Sequence, residues 1–179
     1  NYVELFSVIE NVNLSSETAP FLVPNMFVNY NESSAVVAKA RELAQGAANQ
    51  GDVVRNIYQW VVVNITYDHD KAAQLASATG YVPDPDATLA SGTGICFDYA
   101  SLGAAMLRSL GIPCQVITGY VSPDDVYHAW NMAYIDGEWI SVEISIKPNS
   151  WTRVDLTFAA SGAASTIGDG TSYTDRYTY

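Results

Sequence analysis

Four side chains bound the search for reactive chemistry in this sequence: Cys96, Cys114, His69 and His128. The gaps from 69 to 96, 96 to 114 and 114 to 128 fit neither CxxC nor HxxxH ligand spacing, so a structural zinc site is not expected. Cys96 follows Gly92-Thr93-Gly94-Ile95 and opens an apolar stretch that reads as a helix. A cysteine at a helix N-terminus feels the positive end of the macrodipole, which favours the nucleophilic thiolate. Glycines such as Gly94 let a backbone approach a substrate, and the N–H groups at the helix start can receive an oxyanion. A cysteine in that position can equally be a core residue, since free cysteines are commonly buried. His128 tips the reading toward chemistry, because an imidazole can take a proton from a thiol and return it to a leaving amine. His69, in Tyr67-Asp68-His69-Asp70, reads as a solvated loop residue. A Cys96–Cys114 disulfide is compatible with the sequence but nothing requires it.

The elements that must position these residues fall into two halves. Ser33 or Ser34 can cap a helix over about 34–47, with Val36, Val37, Ala40, Leu43 and Ala44 as its apolar stripe. Asp52 is the expected cap of a second helix, whose Val53, Val54, Ile57, Tyr58, Val61, Val62 and Ile65 give the clearest helical periodicity in the chain. Residues 68–94 read as a long connection with a short helix near 72–76, and Pro83-Asp84-Pro85-Asp86 is expected to exclude regular structure. A third helix runs from 94–96 to Leu110 and stops at Gly111, with Pro113 beyond. The period then changes. Strands are expected over 115–121, 127–135, 138–146 and 151–158, with Asp136-Gly137 as a two-residue hairpin turn. Residues 159–172 read as a loop, and 173–179 as a tail able to return as an edge strand. Helices followed by a meander make an α+β fold, with an extended segment over 1–32 preceding one domain over 33–179.

Several ordered blocks of this chain resemble the transglutaminase-like superfamily: Gly94-Ile95-Cys96-Phe97-Asp98-Tyr99-Ala100, Met106-Leu107-Arg108, Gly111-Ile112-Pro113, Gly119-Tyr120 and His128-Ala129-Trp130-Asn131. The likeness covers roughly 55–160 and is nearest to the bacterial, often exported members. It implies a cysteine-proteinase-like core, with helices packed on an antiparallel sheet. It implies acyl transfer on amide bonds through a thioester, ending in peptide hydrolysis, deamidation or cross-linking, on a peptide or protein substrate and without a cofactor. A non-catalytic peptide- or glycan-binding module of a surface protein is the competing use of the same fold.

The resemblance also implies an orienting acid after the His-Ala-Trp block, and two segments offer one. Trp139-Ile140-Ser141-Val142-Glu143 has the usual distance from His128 but carries Glu; Trp151-Thr152-Arg153-Val154-Asp155-Leu156-Thr157 carries Asp one strand later. With Asp136-Gly137 as the turn, Ile135 faces Glu138 and Trp130 faces Glu143, which puts Glu143 on the face of His128. Residue identity favours Asp155, hairpin geometry favours Glu143, and Asp155 is placed first. Tyr67 is the candidate oxyanion donor, and Trp130 a wall of the site. The pairs Asp84/Asp86 and Asp124/Asp125 lack an EF-hand pattern and read as solvated charge.

Composition sets the outer limits. The chain has 179 residues, and 8 Lys plus Arg against 19 Asp plus Glu give a net charge of −11. Such a surface repels phosphate backbones, so nucleic acid is not an expected partner. No apolar run reaches the roughly 18 residues of a membrane span. Few lysines and cysteines beside many Thr, Ser, Asn and Tyr suit a secreted or cell-surface setting, whose targeting segment would lie outside this sequence.

Overall fold

The computed structural model describes residues 13–121, 126–145, 153–157 and 173–179, together with Val8 and Asn11. The expected strand-like run at Phe6–Ile9, the Ser122–Asp125 loop and the loop over 159–172 lie outside the described residues or almost wholly so.

Helix α1 spans Ala35–Leu43 and buries Val36, Val37 and Ala40. Helix α2 spans Gln50–Asn64 and buries Val54, Ile57, Tyr58 and Val61, the stripe its periodicity predicts. Its cap is Asn49 rather than Asp52: the Asn49 carboxamide accepts from the Asp52 N–H, so Asp52 sits inside the first turn. Strand β1 (Thr66–Tyr67) and helix α3 (His69–Leu75) follow, α3 being capped by Asp68. His69 therefore opens a helix instead of sitting in a loop.

The segment expected to exclude regular structure forms helix α4, Pro85–Ser91. Asp84 caps it by accepting from the Ala87 N–H, and Pro85 occupies the first turn, where its missing N–H has no intrahelical partner to lose. Asp86 accepts from the Val36 N–H at 2.8 Å and fastens α1 to α4. These two carboxylates are structural caps and ties, not solvated loop charge.

Strand β2 (Thr93–Gly94) pairs in parallel with β1, with Tyr67 opposite Gly94. Helix α5, Cys96–Ser109, begins on the next residue but one and runs through the centre of the molecule, burying Ala100, Leu102, Ala104, Ala105, Met106 and Leu107. Gly111, at φ 77°, supplies the left-handed stop.

Strands β3 (Cys114–Val121), β4 (Val126–Ile135), β5 (Glu138–Ser145), β6 (Arg153–Thr157) and β7 (Tyr173–Thr178) form one antiparallel sheet in the order β6-β5-β4-β3-β7. The tail does return as an edge strand, and it pairs with β3. Asp136 and Gly137 both have positive φ, and Ile135 faces Glu138, the register that hairpin arithmetic predicts. Ala129, Asn131, Ala133 and Ile135 of β4 are buried, and the apolar ones join the helical residues in the main core. Trp130 and Met132, of opposite parity, cluster separately with Ile117.

Arg108, near the end of α5, is buried and donates to the carbonyls of Cys114, Val23 and Tyr179 at 2.8–2.9 Å. No helix among the described residues is long and apolar enough to cross a membrane.

Candidate active site

Cys96 is the first residue of α5, and the preceding Ile95 has extended backbone. The turn is fixed by Asp98, whose carboxylate accepts the Ile95 N–H at 2.8 Å. Asp98 is completely buried and accepts two further donors: the Lys71 ammonium at 2.6 Å and the Tyr81 hydroxyl. The Lys71 ammonium also stands over the Tyr81 ring. One carboxylate thus holds α3, the stretch leading to α4 and the start of α5. Gly94 is required by this packing, because a Cβ there would lie 2.7 Å from the Asp98 Cβ.

Asn131 fixes the sheet to the same helix. Its amide donates to the carbonyls of Ala100 and Gln115, both at 3.0 Å, and its carbonyl accepts the Tyr58 hydroxyl at 2.6 Å. All the members of this tie that come from β4 and α2 are buried, so α2, α5, β3 and β4 meet through one satisfied side chain. Gly103 leaves room for it; an added Cβ would sit 2.7 Å from the Tyr58 hydroxyl oxygen.

These two ties bring Cys96 and His128 into the wall of one cleft, which Tyr99, Ala129, Trp130 and Val142 also line. The imidazole stacks along Trp130 with ring centroids 6.4 Å apart. Burial pushes the Cys96 thiol above its ordinary range; backbone N–H groups of Ala129 and Phe97 directed at the sulfur pull it back, and the Asp98 charge adds to the rise. Burial also draws His128 down to about 4. Desolvation opposes the helix dipole at Cys96 and disfavours the charged form of His128.

Tyr67 lies on β1 opposite Gly94, half-buried, with its ring 4.9 Å from His69 and 6.4 Å from Tyr99. Burial raises its phenol, and the proximity of Cys96 and Asp98 raises it further. It stands beside the start of α5 and is not among the residues lining the cleft. Cys114 is fully buried, with its thiol pushed up to about 12 by burial, and both cysteines are free thiols. Glu143 is on β5, the neighbour of β4, whereas Asp155 is on β6 and is the register partner of Glu143.

Asp98, Lys71 and Tyr81 were not among the residues the sequence singles out as functional. An acid three residues after a helix cap is a readable capping signal. Its partners are not readable, because they lie 27 and 17 residues away in the chain.

A sequence profile of the transglutaminase-like superfamily matches residues 37–144, more than half of the chain. Cytokinesis protein 3 of Schizosaccharomyces pombe is 32% identical over 120 residues, covering 59% of this chain and 12% of that protein. Kyphoscoliosis peptidase of Mus musculus is 30% identical over 112 residues, covering 57% of this chain and 16% of the peptidase. The chain therefore spans only a small part of these relatives. Among solved structures, a candidate cysteine protease from Cytophaga hutchinsonii superimposes with a TM-score of 0.59 over 93% of this chain and 55% of that one, at 24% identity. A TGase structure gives 0.51 over 60% of this chain and 30% of that one, also at 24% identity, and both likenesses speak to fold. With the matched segment running from α1 through β5 and so containing the whole cleft, the chain belongs to the transglutaminase-like superfamily.

Proposed function

We propose that this chain is a cysteine-dependent acyl-transfer enzyme acting on amide bonds of peptides or proteins. The observation that carries the reading is the shared cleft of Cys96 and His128, with the thiol at a helix start and the imidazole on the adjoining strand.

Burial disfavours charge on both groups, so proton transfer accompanies attack. His128 takes the thiol proton as the sulfur adds to the amide carbonyl. The tetrahedral oxyanion is received by N–H groups at the start of α5; Tyr67, outside the cleft lining but close enough to Cys96 to feel its charge, is assigned as a second donor. His128 then gives its proton to the departing amine, leaving a thioester. Water or an amine attacks that thioester with His128 again as base, releasing the product and restoring the thiol.

For the orienting acid, strand order outweighs residue identity. Adjacent strands are about 4.8 Å apart, so Glu143 is one step from the strand of His128, and Asp155 two steps, or about 10 Å. Glu143 is assigned the role and Asp155, its register partner, a supporting one. A secreted or surface setting belongs to the same proposal and rests on composition.

Reaction with a Gln-containing peptide, quenched and analysed by mass spectrometry, should give an acyl-enzyme on Cys96 that hydroxylamine discharges. Its absence across a peptide library, with Cys96 still open to alkylation, would leave the fold as a binding module.

A further inference from the structure

On one side of the cleft lies a cluster of tyrosines that the acyl-transfer chemistry does not use. Tyr127 precedes His128 on β4 and pairs in register with Tyr120 on β3, the rings 5.4 Å apart. The Tyr127 hydroxyl donates to Thr118 Oγ1 at 2.8 Å, and Thr118 is the register partner of both Ala129 and Tyr177. Tyr177 stacks on Tyr179, and Tyr179 lies 6.2 Å from the ring of Phe97, the residue after Cys96. Tyr120, Tyr127 and Tyr177 are 38–49% exposed.

Into this cluster the edge strand delivers a cation. The register of β3 against β7 shifts between Thr118, opposite Tyr177, and Gly119, opposite Asp175, which leaves Arg176 as the extra residue of a bulge. Bulges re-aim a side chain, and they recur beside active sites. The guanidinium donates to the Tyr120 hydroxyl at 3.2 Å and lies over the Tyr177 ring at 5.3 Å. Four other surface cations hold carboxylates: Lys39 with Glu42, Arg41 with Glu32, Arg55 with Asp52 and Lys71 with Asp98. Arg108 is buried on carbonyls. Arg176, by contrast, is an exposed cation whose partners among the described side chains are tyrosines, on a chain of net charge −11.

We propose that Arg176 and the tyrosines around it form a substrate subsite for an acidic residue of an extended peptide whose acyl-donor amide lies at Cys96. This rests on the acyl-transfer reading. One fork-shaped guanidinium suits one carboxylate, and the flanking rings suit peptide planes and aliphatic stems. The chain's charge repels a polyanion, so a solitary acid within an otherwise neutral segment is the fitting ligand. The register sets the spacing. His128, Gly119 and Asp175 stand opposite one another across three adjoining strands, so Arg176 is about 10 Å from the strand position of His128. At about 3.3 Å per extended residue, the acid belongs about three residues from the acyl donor.

Binding can be separated from turnover. Fluorescent peptides carrying one Gln and one Glu, the Glu moved stepwise to either side, are titrated against the full chain with Cys96→Ala. Counterparts carry Gln or Lys in place of the Glu. The Glu peptide with a spacing of about three residues should bind about three- to tenfold tighter than its Gln counterpart. Arg176→Gln should abolish that preference, Arg176→Lys should retain part of it, and Arg176→Glu should transfer it to the Lys peptide, with circular dichroism confirming each fold. Equal binding of Glu and Gln peptides at every spacing overturns the subsite, as does a preference that survives Arg176→Gln. Turnover by the unmodified chain without any such preference likewise overturns the subsite and leaves acyl transfer standing. The preference without turnover upholds the subsite and removes the acyl-transfer reading instead.

Discussion

Lys71→Met should damage this protein more than its position at a partly exposed site suggests. The Lys71 side chain is 31% exposed, but the Asp98 carboxylate it meets at 2.6 Å is wholly buried. Removing the ammonium leaves a carboxylate in the interior with only the Tyr81 hydroxyl and the Ile95 N–H as donors. Breaking a buried pair from one side costs about 3–5 kcal/mol; the partial exposure of Lys71 brings the expectation to about 2–4 kcal/mol. Asp98→Asn should cost less, about 1–2 kcal/mol, because an amide oxygen can still accept the Ile95 N–H while Lys71 turns to water. The double variant should recover much of the loss, with a coupling of at least about 1.5 kcal/mol. Urea unfolding of the four proteins measures this, and alkylation of Cys96 against pH supplies a second readout. Asp98 pushes the thiol up, so Asp98→Asn should lower its apparent pKa and Lys71→Met raise it. A Lys71→Met loss below about 1 kcal/mol, strict additivity, or thiol shifts of the same sign would refute the network.

Three further outcomes are expected. His128 sits at about 4 against an ordinary value of about 6.5, so between those values the unfolded chain binds a proton that the folded chain does not. Stability should be full above about pH 6.5 and fall by up to about 3 kcal/mol as pH drops to about 4, and His128→Gln should flatten that slope in thermal melts. Glu143→Ala should reduce kcat/KM by about 10²-fold or more, and Asp155→Ala by far less, when both folded variants are assayed on one peptide; the opposite ranking returns the orienting role to Asp155. Gly103→Ala forces a Cβ to 2.7 Å from the buried Tyr58 hydroxyl and should cost about 2–3 kcal/mol in denaturant unfolding; a neutral result would show that the Tyr58–Asn131 tie can move.

What the sequence disclosed and what it concealed divide along physical lines. Gly111, Asp136-Gly137 and the stripe of α2 each express a local rule, so helix ends, hairpin register and buried faces follow from neighbours in the chain. The α4 helix is hidden by two prolines that locally signal a break, although Pro85 stands where a helix tolerates one. Cys96 and His128 were legible as types in context, but their ionisation was not. The dipole argument uses local sequence, whereas desolvation by the opposing sheet depends on packing. Lys71 with Asp98, Tyr58 with Asn131 and Arg176 with Tyr120 are long-range pairings with no local pattern to announce them.

The guanidinium of Arg108 joins Val23, Cys114 and Tyr179, three points far apart along the chain. Fraying of either outlying segment strands a donor in the interior, which adds about 1–3 kcal/mol to the cost of opening there. The amides of Val116 and Tyr179, which bond each other's carbonyls beside this junction, should therefore exchange with solvent more slowly than the other amides of β7. Peripheral strands ordinarily exchange far faster. The cleft is built against that same sheet, so an anchor on its far edge also steadies the strands that carry the cleft.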